Sequence, residues 1–316
     1  MKKNFLLALT SVLISLIVAE ILVRIFFPID FKSDERNILY RHDSLLGWFG
    51  KENIEDNFGK RRAPRKVNVK NNSLGFRDDE FQDDLMKQNI VFLGDSFIWG
   101  YDVEKNERFT EVLRSKSDKY DIYNLGVSGY GTDQEFLLLQ KYFDQFNPNI
   151  VFLNICNDND FSDNVTNIRY GGYFKPYFEY QNGELNLKGV PVPVANNYKL
   201  TDLYKDHGIL YRSHIVKNIV MIIEGKKSVK NKKVTVEDPT IHILQEMKKF
   251  IESKGSKFVI TSTGQNDNLE SFAKAQNISY IDLSTDLRYK KRGAHWTPEG
   301  HDFVANKIMN FLEKNN

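Results

Sequence analysis

From about Asn89 onward, apolar and polar positions alternate in blocks that change period along the chain. Ile90-Val91-Phe92-Leu93 is a short continuous apolar run ending at Gly94, the pattern of a strand buried on both faces. Asn106 is placed to cap a helix that carries Phe109, Val112 and Leu113 on one face. Tyr120 to Leu125 reads as a second strand, and Thr132-Asp133-Gln134-Glu135 as a capping box opening a helix with Phe136, Leu139 and Phe143. Ile150 to Ile155 is a third buried strand. After a gap the rhythm resumes: an amphipathic helix over Ile241 to Ser253, a strand over Lys257 to Ser262, and a short strand over Ile278 to Leu283. Pro298 and Glu299 open a last helix to about Leu312. Strands alternating with helices predict right-handed βαβ units and a parallel sheet covered on both faces. The expected fold over residues 89–316 is therefore a three-layer, flavodoxin-like α/β domain.

Two stretches break the pattern. Residues 164–236 read as an insertion beside the sheet, with Asn182-Gly183 turning a hairpin within Tyr177 to Leu187. An apolar helix around Ile209 to Ile223 and a lysine-rich linker follow. Residues 29–88 are charged and weakly periodic, and read as an irregular juxtamembrane extension. Ahead of them, Lys2 and Lys3 precede an uncharged, mostly apolar run from Phe5 to Ala19, continued as EILVRIFF before Pro28. The run by itself suits a signal-peptide core, but Phe5 to Phe27 reaches the ~20 residues a membrane-spanning helix needs. Glu20 and Arg24 lie four apart and can pair on one helix face. Ile17 stands where a small residue would be needed for cleavage after Ala19. Residues 1–28 are thus expected to form an uncleaved signal anchor, single-pass, with the folded part outside the cytoplasm. Lys32, Arg36 and Arg41 on the far side blur the charge asymmetry that sets orientation.

Composition narrows the function classes. The chain has 316 residues and a formal charge of +2, so no electrostatic footprint for nucleic acid is present. The single cysteine, Cys156, excludes an intramolecular disulfide and reads as a buried, inert thiol. Neither a CxxC nor an HExxH motif occurs, so neither a metal nor another cofactor is expected.

In an open parallel sheet, ligands bind at the carboxyl ends of the strands. Here those ends lead into Gly94-Asp95-Ser96, into Asn124-Leu125-Gly126-Val127-Ser128-Gly129-Tyr130-Gly131, and into Cys156-Asn157-Asp158. Ala294-His295-Trp296-Thr297-Pro298-Glu299-Gly300-His301 precedes the last helix. A serine, a glycine-rich turn, an asparagine and a histidine thus converge on one rim. Acyl transfer needs such a set: a hydroxyl made nucleophilic by an imidazole, and preorganised donors for the oxyanion of the tetrahedral intermediate.

These four blocks, in this order, resemble those of the SGNH/GDSL hydrolases. The resemblance runs from about Asn89 to the C-terminus, outside the insertion. It implies that Ser96 is the nucleophile and that His295 is its general base. It also implies an oxyanion hole made by the Ser96 N–H, the Gly129 N–H (with Gly126 as the fallback) and the Asn157 side chain. One position departs from the pattern. The family usually carries an aspartate three residues before its histidine, where this chain has Arg292. Asp282, Asp286 or a backbone carbonyl are open as substitutes, and the acid stays unassigned.

Each block also has a plainer reading. Gly-Asp-Ser alone is a common turn, Asn157 alone a turn residue or helix cap, and His301 is a rival base that sits better as a structural residue of the last helix. Trp99 and Tyr101 suit either an acyl pocket or core packing. The expected reaction is hydrolysis of an acyl ester, acetyl esters included, of a small molecule or glycan. The alternatives are an O-acyltransferase acting on a cell-envelope glycan, and a non-catalytic binding module of the same fold.

Overall fold

The computed structural model describes residues 2–27, 38–59, 65–82, 86–170, 172–194, 212–228, 233–290 and 294–315. Arg292 and part of the lysine-rich linker therefore lie outside the described residues. The chain divides into two compact units. The smaller holds the N-terminal apolar run as helix α1 (Lys2–Phe26), together with a helix from the insertion. The larger comprises the described residues of Leu39–Pro193 and Val234–Asn316.

The stretch read as irregular opens the larger unit as two antiparallel hairpins. Strands β1 (Tyr40–Asp43) and β2 (Gly47–Gly50) pair, as do β3 (Glu55–Phe58) and β4 (Val67–Lys70). Asp43 turns the first hairpin by accepting from the Leu45 and Leu46 N–H groups, each at 2.9 Å. At four residues each, these strands are too short for alternation to register, and β2 is buried at every position by what packs on it.

The apolar runs become one parallel sheet. Its strands are β5 (Gln88–Leu93), β6 (Tyr120–Asn124), β7 (Ile150–Ile155), β12 (Lys257–Ser262) and β13 (Ser279–Asp282). Their order is β13-β12-β7-β5-β6, every pair parallel, as the βαβ reading requires. Short helix α2 (Ser96–Trp99) leaves β5, and α3 (Phe109–Lys116) follows it. Asn106 lies in a 3-10 turn, Lys105–Glu107, rather than capping α3, because Glu107 reaches back to the Glu104 N–H at 2.8 Å and closes that turn first. Helix α4 (Thr132–Phe146) starts at the expected place. Its capping contact runs one residue early, from the Gly131 N–H to the Gln134 side chain. Helix α5 (Asp160–Asn164) follows β7.

Within the insertion, β8 (Ile168–Arg169) pairs with β9 (Tyr173–Phe174), and β10 (Tyr177–Gln181) with β11 (Glu184–Lys188). The second hairpin turns at Asn182-Gly183, both at positive φ (54° and 85°), as expected. Helix α6 (His214–Ser228) overlaps the predicted apolar helix and belongs to the smaller unit with α1. Helices α7 (Thr240–Ser253), α8 (Asp267–Ala275) and α9 (Pro298–Lys314) complete the α/β order. Thr297 caps α9 and Pro298 occupies its first turn. Helices α4 and α7 pack together on one face of the sheet. On the other face, Phe109 and Leu113 of α3 and Val304 and Ile308 of α9 bury Ile90, Phe92, Ile122 and Phe152. This is the three-layer sandwich expected.

Candidate active site

The turn that carries Ser96 is built by the residues that flank it. Asp95 is buried and caps α2, its carboxylate accepting from the Phe97 N–H at 3.0 Å. Burial pushes the Asp95 carboxyl above its ordinary range, against the pull of that N–H and of His295. Ser96 is the first residue of α2, so its own N–H has no place in the helical ladder. Gly100 ends α2 in the left-handed conformation at φ 82° and turns the chain into the segment Tyr101–Val103.

Ser96 and His295 are 199 positions apart in sequence, yet their side chains meet. The Ser96 hydroxyl lies 2.9 Å from His295 Nε2. On the other side of the ring, His295 Nδ1 lies 3.1 Å from Asp102 Oδ2. With a carboxylate beside Nδ1, the proton sits on Nδ1 and leaves Nε2 free to accept from the serine. Asp102 is 2% exposed and His295 9%, so water competes little for either bond. Tyr101 stacks on the imidazole with ring centroids 4.5 Å apart, and Phe97 packs on it at 5.1 Å.

Asp102 was not among the sequence candidates. It stands six residues after the serine, on a loop whose direction only Gly100 hinted at. Its own φ is +69°, a conformation that Asp and Asn tolerate better than other side-chain residues. The loop is held by a residue of the N-terminal extension. Arg77, itself buried, donates to the carbonyls of Gly100 (2.5 Å), Val103 (2.8 Å) and Asn68 (3.1 Å) and lies over the Trp99 ring at 4.6 Å. Burial, with Arg108 close by, lowers the Arg77 pKa to about 9.

The other candidates for the acid are engaged elsewhere. Asp282 accepts from the N–H and the hydroxyl of Ser284. Asp286 is exposed, and its backbone carbonyl accepts from the Arg288 N–H at 2.8 Å. His301 is fully buried and accepts from the Phe109 N–H at 3.3 Å, a structural position in the core. Trp99 is likewise packed in the core, edge-on to Phe58.

The glycine loop after β6 separates its two candidate donors. The Gly126 N–H is taken by Asn124 Oδ1 at 3.0 Å, and a Cβ there would stand 2.5 Å from the Trp99 nitrogen. Gly126 is thus the close-packing glycine under α2. Gly129 adopts φ +85°, and among the described residues its N–H has no acceptor. A Cβ on Gly129 would lie 2.2 Å from the Tyr170 hydroxyl of the insertion. The extension supports this loop too, since Trp48 Nε1 donates to the Ser128 carbonyl at 3.3 Å and the Tyr130 hydroxyl bonds the Trp48 carbonyl.

Asn157 departs from the simplest expectation. Its amide nitrogen donates to the carbonyls of Gly264 (2.8 Å) and Gln265 (3.3 Å), and its oxygen accepts from Ser262 and Asn266. In this structure the side chain ties the end of β7 to the loop after β12. Among the described residues no cluster of His, Cys, Asp and Glu could hold a metal ion. Cys156 is buried, and burial pushes its thiol pKa far up.

A family model for GDSL-like lipase/acylhydrolase matches residues 90–308. The chain belongs to this family. The match spans the parallel sheet from Ile90 of β5 onward and both ends of the Ser96–His295 contact. This GDSL hydrolase is similar to solved structures of the same family. A G-D-S-L family lipolytic protein from Veillonella parvula is 14% identical, with 72% of this chain and 99% of that one covered at a TM-score of 0.42. A GDSL-like lipase from Bacteroides thetaiotaomicron is 16% identical, covering 74% and 92% at a TM-score of 0.43. A carbohydrate acetylesterase family member from Sinorhizobium meliloti is 10% identical, covering 72% and 98% at 0.41. No curated protein matches the chain.

Proposed function

We propose that this GDSL hydrolase is a membrane-anchored serine esterase that cleaves an acyl ester, with an acetyl ester of a glycan or small molecule as its substrate class. The observation that carries the reading is the continuous run of hydrogen bonds from Asp102 through His295 to Ser96. His295 Nε2 takes the proton of the Ser96 hydroxyl as the oxygen attacks the ester carbonyl. The imidazolium that forms faces the Asp102 carboxylate, which stabilises it and fixes the tautomer. His295 then returns the proton to the leaving alcohol, giving an acyl-Ser96 intermediate. Water, deprotonated by the same imidazole, releases the acid and restores the serine.

The N–H groups of Ser96 and Gly129 are the oxyanion donors in this reading. Asn157 supplies a third by exchanging its 3.3 Å bond to Gln265, the weaker of its two, for the oxyanion. Anchoring rests on α1, of which Lys3–Phe26 is long and apolar enough to cross a membrane. The catalytic unit faces the extracytoplasmic side in this reading.

The test uses the full-length protein, a fluorophosphonate probe and p-nitrophenyl acetate. The expected outcome is a single adduct mapped to Ser96 by mass spectrometry, abolished in Ser96→Ala and strongly slowed in His295→Ala. Rapid labelling of a different serine in the parent protein, with Ser96→Ala still turning over ester, would overturn the assignment.

A further inference from the structure

Helix α6 presents an unexplained surface. Its sequence, HIVKNIVMIIEGKKS, is largely apolar until its last turn. Ile219, Ile222 and Ile223 lie at the spacing that shares one helix face, and they are 50, 58 and 48% exposed. In water such a face is a liability rather than a surface.

The partner of α6 within its unit indicates what covers that face. Glu20 of α1 accepts from the Ser213 hydroxyl (2.7 Å) and from the N–H groups of His214 (2.7 Å) and Ile215 (3.1 Å). A side chain of α1 therefore caps the N-terminus of α6, where the helix dipole favours negative charge. Arg24 pairs with Glu20 at 2.7 Å and donates to the Arg212 carbonyl at 3.0 Å, and Asn218 Nδ2 lies 3.3 Å from the Phe27 carbonyl. Glu20 sits six residues before the end of α1, about 9 Å inside it along the axis. An unpaired carboxylate at that depth of a spanning helix is costly, and here α6 and Arg24 satisfy it.

We infer that α6 is a second membrane-associated helix, which starts beside Glu20 and runs past the Phe27 end of α1, its Ile219–Ile222–Ile223 face turned into lipid at the bilayer boundary. With 15 residues it is about 22 Å long, short of the ~30 Å hydrocarbon core, so it enters and leaves on one side instead of crossing. In the sequence, Lys226 and Lys227 in the last turn of α6 and Lys230, Lys232 and Lys233 beyond it form a run suited to anionic phospholipid headgroups. The proposal rests on α1 remaining in the bilayer and is independent of the chemistry at Ser96.

The test uses full-length protein in a Cys156→Ala background, carrying single cysteines labelled with an environment-sensitive fluorophore. The vesicles are equal parts phosphatidylcholine and phosphatidylglycerol, with some lipid bearing a nitroxide on its acyl chain. Ile219→Cys and Ile222→Cys report on α6, Leu13→Cys on α1, and Lys249→Cys on a solvated helix of the catalytic unit. The expected result is quenching at positions 219 and 222 at least roughly twofold above that at 249. Quenching at 13 with aqueous behaviour at 219 and 222 overturns the proposal and leaves the anchor standing. Aqueous behaviour at all four positions overturns both.

Discussion

Asp102→Asn removes one charge from the site and almost nothing else. Asparagine keeps the size of the side chain and is among the few residues that accept φ +69°. Asp102 Oδ1 has no hydrogen-bond partner among the described residues, so the change on that side breaks no bond. What is lost is the attraction between carboxylate and imidazolium. The hydrogen bond is 3.1 Å long, which puts the two charge centres about 4 Å apart. At an effective dielectric of about 20, charges at that distance attract by about 4 kcal/mol. Because the imidazolium exists only after Ser96 gives up its proton, this energy belongs to the transition state, and at 1.36 kcal/mol per tenfold it amounts to about 10³ in rate. If the asparagine presents its amide nitrogen to Nδ1, the histidine is forced into the tautomer that cannot accept from serine, and the loss extends toward about 10⁴. The expected result is a fall of about 10³ to 10⁴ in kcat on p-nitrophenyl acetate, with KM little changed and the thermal midpoint within a few degrees of the parent. Activity within about threefold of the parent, in a variant that folds normally and whose Ser96→Ala counterpart is inactive, would refute the role given to Asp102.

Other perturbations test the supports of the site. Asn157→Ala is expected to lower kcat by about 10²–10³ if the amide reaches the oxyanion; unchanged kcat with a lowered melting temperature would make it only a tie between β7 and the loop after β12. Arg77→Lys should weaken ester turnover without touching substrate. One ammonium cannot hold the Asn68, Gly100 and Val103 carbonyls while lying flat on Trp99, so the loop bearing Asp102 loosens. A kcat equal to the parent would show that the loop holds its shape unaided. Stability should fall with acid. Burial, with Arg108 and Arg77 near, lowers the His301 pKa to about 3, so the unfolded chain takes up that proton near pH ~6.5 while the native protein refuses it. For Glu111 burial pushes upward, but Arg108, Arg114 and Lys105 outweigh it and hold the carboxyl at about 2. Both contributions are present above the unfolded-state values and are lost below them, His301 first and Glu111 from pH ~4.5 downward. Melting curves should show a steady decline from pH 7 to 3 whose upper part flattens in His301→Gln; an undiminished slope there would refute the assignment to His301.

The sheet was legible in the sequence because each strand carries its own signal. Runs such as Ile90–Leu93 and Ile150–Ile155 must be buried on both faces wherever they sit, and the helices between them show one apolar stripe. The meeting of Ser96 and His295 was legible for a related reason, since each follows directly on, or leads into, such an element. The N-terminal apolar helix was legible from length alone.

Other features were decided only by tertiary structure. Hairpins β1–β2 and β3–β4 are too short to announce themselves, and Arg77 gains its role only when the loop after Gly100 folds against it. The carboxylate that meets His295 follows no spacing rule, because a hydrogen bond constrains distance in space and leaves separation along the chain free. Asp102 reaches His295 across 193 positions, from a loop turned by a left-handed glycine. Nor could pattern reveal that Glu20 of the first helix caps α6, for that contact exists only once two apolar helices lie side by side. Local sequence fixes which surfaces must be hidden; which polar group answers which is settled when the chain closes on itself.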